Sequence, residues 1–415
     1  MSQTIKIIGI GESGTGSLPQ NFLEWINNCE VLVGGRRQLD FFPDFAGEKI
    51  LLANKVHEVI EVLKNKKKDI VVLASGDPLF FGIGGLIVSN LKSSLESETE
   101  VAGVSIEIYP NLSSIQLAFA RAKTDWQNAK FISVHGRKIS GLAQRVFPET
   151  KIALLTDLEN HPGKIAAYLL EYNLPDFRVF VAENLGMEDE RCRWYSLEEL
   201  SKKTAEDFHK LNVMILFRDK PVVTWGIGIP DSEFSCPEKP GGLITKKEIR
   251  VLSISEMKLN KNSVVWDIGS CSGSVAIEAA HIALEGHVYA VEKNKDHIEY
   301  CRKNIRKLHA DITIVENTAP EGLEKLPNAD AIFVGGSGGY LREILKVSFD
   351  RLKPKGRIVV NAATMDTLNA AMDFFNDNDF EISVILTQVS RSRMIGELTG
   401  FQALNPVFIL TACRL

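Results

Sequence analysis

The chain predicts an α/β protein of two domains, and three observations carry that expectation. Apolar runs rich in β-branched residues alternate with stretches of helical periodicity along both halves. The alternation breaks once, around Arg218–Gly242, where Pro221, Pro230, Pro237, Pro240, Gly241 and Gly242 cluster. The 415 residues, set against about 150 per domain, suit two or three domains.

In the first half the expected strands are Ile5–Ile10, Ile70–Ala74, Ser105–Tyr109, Phe131–Val134, Lys151–Leu155, Val179–Ala182 and Val213–Phe217. Helical patterns such as Ser113–Ala122 and Lys164–Tyr172 lie between them. In the second half the expected strands are Val264–Ile268, His287–Val291, Ile312–Val315, Ala331–Val334, Arg357–Asn361, Glu381–Thr387 and Val407–Leu410. Helices fit between the first six, whereas only a loop-like stretch separates the last two, which therefore pair antiparallel. That pattern predicts a seven-stranded doubly wound sheet with an antiparallel end.

Composition narrows the function. With 48 Lys+Arg against 53 Asp+Glu, the net charge of −5 excludes a general nucleic-acid binder and leaves room for a local basic cleft. No apolar run approaches the roughly 18 residues of a membrane span, and the residues from Met1 to Ile10 read as a first strand rather than a signal peptide. The six cysteines, Cys29, Cys192, Cys236, Cys271, Cys301 and Cys413, show no C-x-x-C spacing, and the eight histidines form no H-E-x-x-H. A disulfide scaffold and a ribbon-type zinc site are thus excluded, and a metal-free, cytoplasmic protein is expected. The Lys64–Lys68 run reads as a solvated loop before a strand.

Asp267-Ile-Gly-Ser-Cys-Ser-Gly273 follows an apolar strand and opens a helix over Ser274–Leu284. Such a turn lets backbone amides approach a ligand. Glu292 closes the next strand, 19 residues beyond Gly273, where a carboxylate can accept ribose hydroxyls. The loop has only Gly269 and Gly273, and Asp267 begins it, so a pyrophosphate is disfavoured. A cofactor with a sulfonium and an ammonium group fits better, which favours S-adenosylmethionine over NAD. A plain strand–turn–helix joint without ligand is the bland alternative. Phe333-Val-Gly-Gly-Ser-Gly-Gly339 then leaves little side-chain wall at the carboxyl edge of the fourth strand.

Together with Gly242-Leu-Ile-Thr-Lys-Lys-Glu-Ile-Arg250, Trp266–Ala280, Thr318–Glu321, Arg357–Ala362 and Asn405–Phe408, these motifs resemble the cobalt-precorrin-6B carbon-15 methyltransferases over residues 225–415. The resemblance implies a Rossmann-like methyltransferase domain over 241–415. It implies that Thr245, Asp267, Gly269, Ser270, Cys271, Ser272, Gly273, Glu292 and Ala319 bind S-adenosylmethionine. Cys271 departs from the family's glycine at mid-loop, and Asn317-Thr318 stands where Gly-Asp is commoner.

In the first half, Leu73-Ala-Ser-Gly-Asp-Pro-Leu-Phe-Phe-Gly82 follows a buried strand, and Tyr109-Pro-Asn-Leu-Ser-Ser-Ile-Gln116 leads from a strand into a helix. Read alone, Gly-Asp-Pro is a common turn, and Ser113 or Ser114 is an N-cap. With Val33–Arg36, Ser133–Arg137 and Glu183–Gly186 they resemble the tetrapyrrole methylases over residues 4–217, in the branch of the cobalt-precorrin-7 carbon-5 methyltransferases. That resemblance implies a two-subdomain tetrapyrrole-methylase fold over 1–218, a linker over 219–240, and cofactor contacts from Gly76, Asp77, Leu79, Ser113 and Ser114. Gly9-Ile-Gly-Glu-Ser-Gly14 departs from the family's Gly-x-Gly-Pro-Gly-Asp.

Precorrins carry several carboxylates, which cations must meet. Arg36, Arg37, Arg121, His135 and Arg137 are candidates in the first domain, and Gly336, Ser337, Arg391 and Arg393 in the second. The order of the two resemblances implies a fused enzyme of cobalamin biosynthesis. It would methylate a precorrin at carbons 5 and 15 and decarboxylate the ring C acetate. A homo-oligomer is expected, with no nucleic acid or membrane partner. A nicotinamide-dependent oxidoreductase and a catalytically inert sensor of cofactor or tetrapyrrole are the alternatives.

Overall fold

The computed structural model describes residues 3–52, 60–63, 69–92, 104–222, 224–237 and 244–414. The Lys64–Lys68 run and Pro240–Gly242 of the proline-rich stretch lie outside the described residues. Contacts divide the chain into two compact units. Unit 1 holds Met1–Lys138, Thr150–Ile165 and Phe177–Arg218, and unit 2 holds Ile139–Glu149, Ala166–Asp176 and Asp219–Leu415.

Unit 1 contains two five-stranded sheets. The first is built from β1 (Gln3–Ile10), β2 (Val31–Gly34), β3 (Glu48–Leu51), β4 (Ile70–Ser75) and β5 (Val104–Tyr109), in the order β3-β2-β4-β1-β5. All its pairings are parallel. Ile5, Ile7, Ile8 and Ile10 of β1 are all buried, because side chains cover both faces of the sheet. The second contains β6 (Lys130–Ser133), β7 (Lys151–Leu155), β8 (Arg178–Glu183), β9 (Arg191–Ser196) and β10 (Asn212–Phe217), ordered β6-β7-β10-β8-β9. Only the β6–β7 pair is parallel there. The helix Ser114–Ala122, which leaves the first sheet after β5, buries Ile115, Ala118 and Phe119 in the core of the second.

Unit 2 carries a seven-stranded sheet. Its strands are β11 (Val264–Ile268), β12 (His287–Glu292), β13 (Thr313–Glu316), β14 (Ala329–Val334), β15 (Leu352–Ala362) and β16 (Glu381–Thr387). After β17 (Ser390–Ile395) and β18 (Leu398–Ala403), β19 (Val407–Cys413) completes it in the order β13-β12-β11-β14-β15-β19-β16. β19 runs antiparallel to both neighbours, as expected for the end of the sheet. Two apolar clusters, one around Val265 and Phe333 and one around Trp266 and Ile332, form its core.

Two expectations are corrected. The stretch expected as a loop before the last strand is the antiparallel β17–β18 hairpin. In the first half β2, β3 and β9 were not expected as strands. β3 has four residues with little burial, and β9, Arg-Cys-Arg-Trp-Tyr-Ser, is an edge strand whose side chains are half exposed.

Candidate active site

The carboxyl edge of the first sheet is assembled by close backbone contact. A Cβ on Gly9 would lie 2.0 Å from the Gly76 carbonyl oxygen and 2.7 Å from the Asn111 nitrogen. The end of β1, the turn after β4 and the loop after β5 therefore meet at a point that admits only glycine. Gly76 itself has φ of +59°. Asn111 donates from Nδ2 to the Gly9 and Ser17 carbonyls, each at 3.3 Å, which laces the loop to β1. Asp77 Oδ1 accepts the Leu79 N–H at 2.8 Å and shapes the turn. Ser113 caps the next helix, and Gln116 returns the bond in a capping box.

These loops border a cleft of about 500 Å³. Gly76, Asp77, Ser113, Ser114, His135 and Arg137 all line it. Leu79 is largely exposed and is not among the lining residues, nor is Arg36, which faces solvent. The neighbouring Arg37 lines the cleft instead, 2.9 Å from Glu12 Oε1 and 3.2 Å from Ser75 Oγ. Arg37 was among the sequence candidates, whereas Glu12 and Lys210 were not foreseen; the candidate Arg121 is paired with Glu190 instead and is not among the lining residues. His135 Nδ1 lies 2.9 Å from the Thr156 carbonyl, while Asp157 accepts the Gly136 N–H at 2.6 Å, so both residues fix the turn after β6. Phe81 and Leu112 add exposed apolar surface to the cleft.

In unit 2 the turn after β11 abuts the turn after β14. Gly269 has φ of +74°, and a Cβ there would stand 2.5 Å from the Gly336 carbonyl oxygen. Gly273 has φ of +75° and faces Cys301 Sγ, which a Cβ would approach to 2.6 Å. Cys271 sits in the left-handed region with φ of +49°, at the position where glycine would be unstrained. Burial pushes its thiol up to about 12, so it stays protonated near neutrality.

Two carboxylates brace this loop. Asp267 is buried, and its Oδ2 accepts from Ser270 Oγ at 2.8 Å and from the Ala276 N–H at 3.0 Å. Its Oδ1 is buried without a partner, as is the Ser272 hydroxyl. Burial pushes the Asp267 carboxyl up to about 7, against the pull of those hydrogen bonds. Glu292 Oε2 accepts the Cys271 N–H at 2.9 Å, and Oε1 accepts from Lys293 and Asn294 at 2.9 Å each. A groove of about 60 Å³ lies beside them, lined by Gly269, Glu292, Ala319, Gly336 and Ser337. Lys293 also lines it and was not foreseen from sequence.

The remaining positions serve the frame around the loop. Arg250 is fully buried and donates to Glu278 at 2.5 Å, to Asp231 at 3.2 Å and to the Thr245 carbonyl at 2.6 Å. Thr245 is thereby tied to the helix that starts at Gly273, and it is not among the groove-lining residues. Arg391 is bound by Glu248 at 2.5 Å and Asp231 at 2.9 Å, so two carboxylates already compensate its charge. Arg393 is exposed on the β17–β18 hairpin, 3.3 Å from Gln402.

Two α/β units each carry a glycine-shaped loop at the carboxyl edge of parallel strands, where such sheets bind ligands, and the likenesses that follow make the chain an enzyme of the methylase class. A family model described as tetrapyrrole (corrin/porphyrin) methylases matches residues 4–201, and one described as a precorrin methyltransferase domain matches residues 239–414. A precorrin-6Y C(5,15)-methyltransferase [decarboxylating] from Sinorhizobium sp is 30% identical over 98% of this chain and 95% of its own length, and the chain belongs to that family. A probable cobalt-precorrin-6B C(15)-methyltransferase (decarboxylating) from Sulfurisphaera tokodaii is 39% identical over 44% of this chain and 95% of its own. A cobalt-precorrin-7 C(5)-methyltransferase from Salmonella typhimurium is 29% identical over 52% of this chain and all of its own length.

Proposed function

We propose that this chain transfers two methyl groups from S-adenosylmethionine to a precorrin in cobalamin biosynthesis. Unit 2 methylates carbon 15 with loss of the ring C acetate as carbon dioxide, and unit 1 methylates carbon 5. The observation that carries the reading is the pairing of two separate sheet-edge sites with two relatives, each named for one of those carbons.

The residues present suit that cofactor. In unit 1 the cleft of about 500 Å³ falls within the usual range for small-ligand sites. In unit 2 the groove of about 60 Å³ is much smaller than an adenosine-sized ligand, so the fit rests on its donor set. Orphaned Asp267 Oδ1 suits a cation, Glu292 has acceptor capacity for hydroxyls, and Gly336 offers backbone with nothing near its would-be Cβ. S-adenosylmethionine would be held by Gly76, Asp77, Ser113 and Ser114 in unit 1 and by the Gly269–Gly273 loop with Glu292 in unit 2, and it supplies an electrophilic methyl on a sulfonium. The chain orients the nucleophilic carbon and keeps water away. Arg37, His135, Arg137 and Lys210 offer hydrogen-bond donors to the carboxylates of the macrocycle in unit 1, and Lys293 with Ser337 in unit 2.

The setting we propose is cytoplasmic, supported by six cysteines that remain free thiols. Among the described residues no helix is long and apolar enough to cross a membrane. We also propose a homo-oligomer, supported by Met394, Ile395, Leu398 and Phe401 on the β17–β18 hairpin, which are 53–75% exposed. Light scattering of the chain against a variant with Leu398 and Phe401 changed to Ser tests that point.

The function is tested by mass spectrometry of a precorrin-6 substrate incubated with the whole chain and S-adenosylmethionine. Two added methyls with loss of one carbon dioxide is the expected product. A single methyl without that loss would contradict the assignment of the two units.

A further inference from the structure

The loop that departs most from its family's pattern, Gly9–Gly14, is firmly shaped. Ser17 Oγ accepts the Gly11 N–H at 2.9 Å and donates to the Gly14 carbonyl at 2.7 Å. Gly14 adopts φ of +60°, where a Cβ would meet the Phe41 ring at 2.6 Å. This frame delivers Glu12 to the wall of the unit 1 cleft, alongside Gly76, Asp77 and Ser113.

The two oxygens of Glu12 differ. Oε1 is 2.9 Å from the Arg37 guanidinium. Oε2 is buried and has no hydrogen-bond partner. A buried acceptor left unpaired is costly to the fold, and such groups gather where a ligand or a reaction uses them. Burial raises the Glu12 carboxyl above its ordinary value, and Arg37 partly opposes that shift. Arg37 is the charge in direct contact with it, and Asp77, His135, Arg137 and Lys210 are the other titratable or charged groups lining the cleft. A cleft-lining carboxylate with one oxygen held by Arg37 and the other unpaired is a candidate proton acceptor.

We propose that Glu12 is the proton acceptor for methylation in unit 1, a role that rests on reading that unit as the carbon-5 methylating half. Replacing a hydrogen on a ring-bridging carbon by methyl forms one carbon–carbon bond with an electron pair of the macrocycle. The methyl–sulfur bond breaks with its pair going to sulfur, so the sulfonium becomes a neutral thioether. The carbon–hydrogen bond then breaks, its pair returning to the conjugated system and its proton passing to Glu12 Oε2. The carboxylate becomes a neutral acid, and charge balances. Arg37 positions the side chain through Oε1 and leaves Oε2 free for the proton.

The test uses the whole chain with Glu12→Gln, which keeps the shape and an acceptor for Arg37 but cannot take up the proton. The expected product is a single methyl with carbon dioxide loss. Carbon-5 methylation is slowed by about 10²-fold or more, while carbon-15 methylation in the same tube stays unchanged and reports an intact chain. Affinity for S-adenosylhomocysteine by calorimetry stays the same. Glu12→Asp restores part of the rate with a displaced pH profile. Wild-type carbon-5 methylation by Glu12→Gln with an unaltered pH profile overturns the proposal. So does a loss of S-adenosylhomocysteine affinity as large as the loss of rate, which would make Glu12 a cofactor-holding group. If the wild-type chain adds no second methyl, the reading of unit 1 falls first and this role with it.

Discussion

The two candidate sheet-edge sites are built by the same device and differ in the room it leaves. In unit 1, Gly9 and Gly76 bring three loops together, and the result is a cleft of about 500 Å³ lined in part by Glu12, one of whose oxygens is buried and unpaired. In unit 2, Gly269 and Gly336 do the same for two loops, yet the groove is about 60 Å³ and Glu292 is occupied by three backbone N–H groups. The carboxyl edge of a parallel sheet supplies the place for a ligand. Each loop's own hydrogen bonds decide which of its acceptors stay unpaired: Glu12 Oε2 in unit 1 and Asp267 Oδ1 in unit 2.

If that is right, unit 2 depends on its charged frame more than unit 1 does. Arg250→Ala would leave Glu278 buried with only the Gly228 and Ile229 amides as partners. Removing one member of a buried ion pair costs about 3–5 kcal/mol. Carbon-15 methylation is therefore expected to fail at temperatures where carbon-5 methylation persists, read from the product masses and from denaturant unfolding.

Glycine replacements set the two loops side by side. Gly269→Ala places a Cβ 2.5 Å from a backbone oxygen, while Gly76→Ala meets backbone atoms at 3.0 Å. Both residues also hold φ values costly for alanine. Displacement of a binding loop by about 1 Å can cost roughly 10²-fold in rate. Gly269→Ala is expected to lose that much in carbon-15 methylation and Gly76→Ala less in carbon-5 methylation, each sparing the other carbon. Equal losses at both carbons in either variant would defeat the picture of two independent edges.

The same contrast shows what sequence could reveal. Strand ends and their glycines were legible because buried strands such as Val264–Ile268, apolar but for Asp267, and Ile70–Ser75, apolar up to its final Ser75, are followed by turn residues. Glu12 was not, because a carboxylate in a loop looks the same in sequence whether its oxygen is solvated or buried beneath a neighbouring loop. Arg391 illustrates the converse. Its type suited substrate carboxylates, and only the fold shows Glu248 and Asp231 already against it. The β17–β18 hairpin was missed because its apolar residues, such as Leu398 and Phe401, face outward and line no core.

Asp267 gives unit 2 a pH signature. Its carboxyl is ordinarily near 3.8 and is raised to about 7 in the fold, so the native state binds a proton that the unfolded chain releases. A raised carboxyl contributes stability that is fully present below about pH 4 and is lost as pH climbs through 7. Asp267→Asn keeps an acceptor for Ser270 and Ala276 and carries no charge. The variant is expected to match the wild type near pH 4 and to exceed it by on the order of 4 kcal/mol at pH 8. Thermal unfolding across that range measures the gap; a constant gap would mean that Asp267 is not the group responsible.

The smallest effect concerns the one loop residue that is neither glycine nor relaxed. Cys271 holds φ of +49° between Gly269 at +74° and Gly273 at +75°. A left-handed conformation costs a residue with a Cβ about 1–2 kcal/mol. Changing it to glycine recovers that strain and gives back about 0.4–1 kcal/mol through the greater freedom of the unfolded chain. The N–H that binds Glu292 is retained, because it belongs to the backbone. Cys271→Gly is therefore expected to raise stability by at most about 1 kcal/mol and to leave carbon-15 methylation undiminished, measured by unfolding and by product mass. A loss of carbon-15 methylation would instead show that the half-buried side chain at this position supports the unit 2 site in a way no glycine loop can, and would end the equivalence drawn between the two edges.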